Sequence, residues 1–254
     1  MRTLLRQPFD DLASCLTRLA ESPRPLRAMC VVLVALVATW FVYVPVHELL
    51  HVLGCVTCGG TVSELEIAPQ YGGALLARWF PFVVSGGDYA GRLSGFDTKG
   101  SDLIYLATDF APFLLSVLIG VPLLRMCAQR RRLVLFGVAI VVGLAPFYNL
   151  IGDYYEMGSI ITTRVATLLG GGADPVAYAA IRSDDVFKLI GTFCTRPGEL
   201  NLHGVAGITL GAALILASIL LGVVLAFLTY SLGDVVARIF YRLRGVPGRP
   251  PQRS

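Results

Sequence analysis

Residues Val44 to Leu53 read VPVHELLHVL, so His47, Glu48 and His51 form a His-Glu-x-x-His pattern at the end of a long apolar run. On an α-helix, positions four apart lie roughly 40° apart around the axis, which puts His47 and His51 on one face, one turn apart. Two neutral imidazoles in that relation can hold one Zn²⁺. Glu48 projects beside them, where a carboxylate could take a proton from water activated by the ion. The plainer alternative is a set of satisfied polar residues near a helix end. Burying two His and a Glu beside lipid is costly unless something uses them, and that favours the zinc reading.

A catalytic zinc usually keeps three protein ligands and one open position. Asp153 is the expected third ligand. It follows Asn149 and Gly152 at the end of another apolar stretch. Its competing role is to cap the helix that begins at Tyr154. His203, the only other histidine, is the alternative third ligand. Asp109 is expected to be either a buried polar residue with a local partner or a residue that orients an imidazole from behind. Glu156, one turn beyond Asp153, is expected to be solvated.

The elements that must position these residues are membrane helices. The chain has 254 residues, 55% hydrophobic and 15% charged, with a mean hydropathy of +0.70. That excludes an ordinary soluble domain and points to a polytopic, all-α membrane protein. Its partner is then the lipid bilayer. Basic residues cluster beside apolar runs, and no aromatic-rich basic module suggests nucleic acid.

Four transmembrane helices are expected, at about 27–53, 103–124, 133–152 and 204–232. Together they define a domain over 27–232. Residues 1–26 carry Leu5, Phe9, Leu12, Leu16 and Leu19 at helical spacing, with Arg2, Arg6 and Arg18 among them. This reads as an amphipathic helix on the membrane surface, interrupted near Pro8. Pro45 should bend the first span one turn before His51. Thr61 to Ala68 alternates apolar and polar residues, Pro69 to Gly73 supplies a turn, and Ala74 to Phe82 is a second extended candidate. The expectation is a β-hairpin over about 61–82, followed by Gly-rich loop from Ser85 to Gly100. Residues 154–203 read as a helical loop, with starts at Asp174-Pro175 and at Ser183 to Asp185 and a break at Gly170 to Gly172. Residues 233–254 form a basic tail.

Of the 21 Lys and Arg, fourteen lie in segments 1–27, 125–132 and 233–254, the rest in 54–102 and 153–203. The positive-inside rule then places both chain ends in the cytoplasm. The first and third spans both run outward, so His47, His51 and Asp153 share one level near the outer face. The six cysteines are irregularly spaced, and Cys55-Val56-Thr57-Cys58 is a lone C-x-x-C. Packing residues are favoured over a disulfide or half of a metal site.

With these residues in view, the chain resembles the site-2 protease family of intramembrane zinc metalloproteases. The resemblance rests on His47-Glu48-Leu49-Leu50-His51 in the first span and on Asn149 to Asp153 in a later one. It implies zinc on His47, His51 and Asp153, Glu48 as general base, and Asn149 as a hydrogen-bond donor to substrate or transition-state oxygen, against the alternative of an ordinary helix-end Asn. The extended pair after Cys58 is similar to the family's membrane-associated hairpin, to which an extended substrate could add as a strand. The chain departs from the family in three ways. Gly152 precedes Asp153 and Tyr154 follows, where the family usually has Leu-Asp-Gly. Leu50 stands where Gly is frequent. The charge pattern puts the site toward the outer rather than the cytoplasmic face.

The function so implied is hydrolysis of peptide bonds in membrane-associated substrates. A non-proteolytic metal-binding or adaptor relative of the same fold is the alternative. A small transporter using Asp109 and Asp153 is a third reading, disfavoured by four spans without internal repeats.

Overall fold

A computed structural model describes residues 2–130, 132–170, 175–183 and 185–243, with no side chains considered for 2–4, 170 and 175–177. Arg131, Gly171, Gly172, Asp174, Asp184 and the tail beyond 243 lie outside the described residues, so the expectations that fall on them are not addressed.

The chain is mostly helical, with one small sheet. In order it forms α1 (Arg2–Ala20), α2 (Pro25–Thr57), β1 (Thr61–Ile67), α3 (Gly73–Leu76), β2 (Val83–Ser85), β3 (Gly91–Asp97), α4 (Asp102–Phe110), α5 (Val121–Gln129), α6 (Leu133–Gly143), α7 (Ala145–Tyr148), α8 (Asp153–Gly170), α9 (Pro175–Ile181), α10 (Val186–Thr195) and α11 (Gly204–Leu243). Among the described residues, three helical stretches are long and apolar enough to cross a membrane: Pro25–Thr57, Asp102–Gln129 and Gly204–Leu243. The chain is accordingly described as a membrane protein.

The third expected span differs. Residues 133–152 do not form one long helix: α6 ends at Gly143, Leu144 leaves helical geometry with φ −98° and ψ 6°, and α7 holds only four residues. Sixteen residues at 1.5 Å each cover about 24 Å, short of a hydrocarbon core of about 30 Å. Pro146, which cannot donate to the preceding turn, accompanies the break.

The chain divides into two compact units. One holds residues 1–46, 113–146 and 227–254; the other holds 47–112 and 147–226. The first unit explains α1. Instead of stopping near Pro8, the helix runs through it. Pro8, Asp11, Cys15 and Leu19 make a narrow buried stripe. Arg18 Nε donates to the Ala128 carbonyl at 2.8 Å and the Cys15 thiol to the Leu124 carbonyl at 3.7 Å, so α1 packs on α5. Asp11 also belongs to a buried ionic network. Arg125 Nη1 lies 2.7 Å from Asp234 Oδ1 and 3.4 Å from Asp11 Oδ2, and Tyr230 donates to Asp11 Oδ2 at 3.0 Å. An ion pair with little water needs such partners to offset its desolvation.

The second unit carries the sheet, whose strand order is β2-β1-β3. β1 forms where the alternation predicts a strand, with Leu65 and Ile67 fully buried. They pack with Val52 and Val83 and against Leu49, Leu76, Phe80 and Phe82. Each such burial contributes about 1.5–3 kcal/mol, and it fixes one face of α2 on the sheet. The expected second strand is wrong. Residues 69–76 form a 3₁₀ turn and α3, because Gly72 at φ 84° turns the chain into a short helix. The partners of β1 lie beyond it: β2, just after Phe82, pairs parallel, and β3, within the stretch read as loop, pairs antiparallel. Gly86 and Gly87, both at positive φ, make the intervening turn.

The stretch 154–203, expected as a helical loop, holds α8, α9, α10 and a 3₁₀ turn around a core that includes Tyr155, Ile181, Val186 and Leu214. Gly158 and Gly222 let α8 and α11 touch backbone to backbone: a Cβ on Gly158 would lie 2.3 Å from the Ser218 carbonyl oxygen, and one on Gly222 2.6 Å from that of Tyr154. Small residues permit this approach between apolar helices. Arg182 ties α9 to α4 through Asp102 at 2.6 Å.

Candidate metal centre

All the residues in question lie in the second unit. α2 runs as a helix through Pro45, so His47 and His51 do lie one turn apart. Leu49 and Val52 face the sheet, which turns the two imidazoles to the opposite side of the helix. There the N-terminus of α8 delivers Asp153. Its position is set by a turn in which the Asn149 carbonyl accepts from Gly152 and Tyr154 at 3.3 and 3.2 Å.

The three side chains converge. His47 Nε2 lies 3.1 Å from Asp153 Oδ2, His51 Nε2 lies 3.7 Å from Asp153 Oδ1, and the two Nε2 atoms are 3.2 Å apart. The imidazole rings meet edge to face at 83°. His47 and His51 are buried and Asp153 nearly so. Tetrahedral coordination at about 2.0–2.1 Å separates ligand atoms by about 3.3 Å, so the three donors have the spacing that one ion needs. Their chemistry fits as well: two imidazole nitrogens and a carboxylate oxygen suit a borderline divalent cation.

His51 is oriented from behind. Its Nδ1 lies 2.8 Å from the Thr108 carbonyl oxygen. The Nδ1–H tautomer therefore donates to α4 and leaves the Nε2 lone pair directed at the cluster. Gly54 permits this contact: a Cβ there would lie 2.6 Å from Ala111 Cβ and 2.7 Å from the Ala107 carbonyl oxygen. Burial acts to raise the Asp153 carboxyl, but the His51 and His47 imidazoles outweigh it and hold the group below the usual carboxylate range. Glu48 is half-buried, and its side chain lies along Gly91 at the start of β3.

The other expected residues are placed differently. His203 is exposed at the start of α11, near Gly198, and is not part of the cluster. Asp109 is buried as expected, yet the orienting contact to His51 comes from the backbone of its neighbour Thr108, because a carbonyl at that turn of α4 already faces the ring. Glu156 is buried, not solvated, and accepts a hydrogen bond from Tyr105. Asn149 is half-buried in the turn before Asp153. All six cysteines are free, with Cys15, Cys55 and Cys127 buried and Cys30, Cys58 and Cys194 exposed. The sequence reading missed Gly54, Thr108 and Gly91. A signal for the first existed: Ala107 and Ala111 are one helical turn apart, a small-residue face suited to close approach.

The chain matches no family model, and comparison with curated proteins and with solved structures likewise returned no match.

Proposed function

We propose that the protein is a membrane-embedded, zinc-dependent endopeptidase of the site-2 protease type, acting on membrane-associated polypeptides. The observation that carries this reading is the convergence of His47, His51 and Asp153 donor atoms at 3.1–3.7 Å, with Glu48 next to His47 on the same helix. In this reading the three side chains are the zinc ligands. A bound zinc ion would polarise the scissile carbonyl and make water acidic enough to attack near neutral pH. Glu48 takes the proton from the attacking water as the new C–O bond forms, then delivers it to the amine as the C–N bond breaks. The Thr108 carbonyl keeps His51 in the tautomer that can ligate. Asn149, four residues before Asp153, would offer its amide to the substrate carbonyl oxygen.

Strand addition supports an extended substrate. β1 is the central strand and has both neighbours filled, so only the edges of β2 and β3 could accept another chain. β3 begins where Gly91 meets Glu48, which favours that edge. The arginine distribution further favours four crossings, with both chain ends cytoplasmic and the site toward the outer face. The short helices α6 and α7 would then make the third crossing where the bilayer is thinned or the chain tilts little.

Two measurements test this function. Purified protein should hold one zinc per chain, lost in His47→Ala and Asp153→Ala and kept in His203→Ala. Dye-quenched casein in detergent should be cleaved by the wild type and not by Glu48→Gln, which should keep its zinc. Undiminished cleavage by Glu48→Gln would reject the assignment. Zinc held with no cleavage by the wild type would favour a metal-binding relative without protease activity.

A further inference from the structure

Glu48 must point its carboxyl at one place, although a Glu side chain has three rotatable bonds and costs up to about 2 kcal/mol to order. We propose that Gly91 is the positioning residue that holds it there, a role that rests on the reading of Glu48 as the general base. A Cβ built on Gly91 would lie 2.4 Å from Glu48 Cγ, 2.9 Å from Cδ and 3.1 Å from Oε1. The whole outer half of the side chain therefore lies flat against the bare Cα of this residue.

Nothing else at this position asks for glycine. Gly91 lies in strand β3 without a positive φ, a conformation open to any residue, and glycine in a strand is otherwise unfavourable. The strand cannot back away to admit a methyl group. Gly91 pairs with Ile67 of the central strand, and Ala90 accepts from the Ala68 amide at 3.1 Å. The preceding residues are anchored as well: Tyr89 donates to Asp185 Oδ2 at 2.8 Å and lies under the Arg92 guanidinium, 5.4 Å from the ring centroid. On the other side Glu48 is carried by a helix packed on the sheet through Leu49 and Val52. A methyl group at 91 can be accommodated only if the Glu48 side chain leaves its rotamer.

The test is a double-mutant cycle read by thermal unfolding in detergent, together with kinetics. Gly91→Ala should lower the midpoint with Glu48 present and leave it unchanged in the Glu48→Ala background, where the space is free. On dye-quenched casein, Gly91→Ala should reduce kcat at least tenfold with KM within twofold, at one zinc per chain. An equal midpoint loss in both backgrounds, or a kcat unchanged by Gly91→Ala, would overturn the positioning role. If the wild type cleaves nothing, the endopeptidase reading falls while a coupled cycle still supports the contact. An uncoupled cycle overturns the contact whatever the cleavage shows.

Discussion

Replacing Gly54 by Ala tests how the ligand helix is held. The added Cβ would sit 2.6 Å from Ala111 Cβ and 2.7 Å from the Ala107 carbonyl oxygen, with Thr108 Cα at 3.3 Å. Carbon atoms rest at about 3.5–4.0 Å, so α2 and α4 must part by about 1 Å. The His51 Nδ1 to Thr108 contact, now 2.8 Å, would then open beyond the range of a hydrogen bond. Overpacking costs about 1–3 kcal/mol, and the lost hydrogen bond about 1 kcal/mol more. With its Nδ1 partner gone, His51 is free to take the tautomer that cannot ligate. Removing such an outer partner lowers metal affinity by about 10–100-fold, equivalent to about 1.4–2.7 kcal/mol. Zinc affinity would be measured by competition with a chromophoric chelator, and stability by thermal unfolding in detergent without metal. Gly191→Ala is the control: nothing lies within 4 Å of its Cβ position in α10, so helix propensity should make it neutral or slightly stabilising. A Gly54→Ala protein with wild-type zinc affinity and midpoint would refute the idea that this helix contact orients His51.

Four further outcomes are expected. Asp185 caps α10 through the Lys188 amide at 2.9 Å and accepts from Tyr89; the amide first, then the Tyr89 hydroxyl, hold its carboxyl below the usual range. A carboxyl depressed in the folded state contributes stability above its unfolded pKa and loses it as the pH falls through the folded value. Asp185→Ala should therefore cost about 1 kcal/mol near neutrality, with the gap to wild type closing below about pH 4; a pH-independent gap would contradict this. Burial pushes the Cys15 thiol up to about 12, so it should resist maleimide at pH 8 in folded protein. With a membrane-impermeant maleimide on intact cells, exposed Cys58 and Cys194 should react if the inferred orientation holds; labelling of neither would reverse it. Arg125→Met removes the cation between Asp11 and Asp234 and should destabilise the protein by about 3–5 kcal/mol, seen as a lowered unfolding midpoint in detergent.

The membrane class, the helix carrying His47 and His51, and β1 were legible from the chain because each is a local pattern: an apolar run of sufficient length, two His at one helical turn, a strict two-residue alternation. Asp153 was legible less directly, through its depth at the end of an apolar stretch. The errors have separate causes. Gly91 and Gly95 look like breakers in one dimension, yet they sit in a strand where neighbouring side chains occupy the space of a Cβ; on Gly95 one would lie 2.5 Å from Ser63 Oγ. Leu-rich residues 74–80 fit a strand or a short helix equally well until Gly72 turns the chain. The extent of α6 depended on a break at Leu144 that apolar composition does not reveal.

What the amino-acid order determined alone was which groups are available and which share a helix face. Only the tertiary structure decided which carboxylate meets the imidazoles, which carbonyl fixes the His51 tautomer, and which strand lies against Glu48. Those choices depend on how closely two backbones can approach, and that depends on atoms missing from glycine and alanine at positions far apart in the chain.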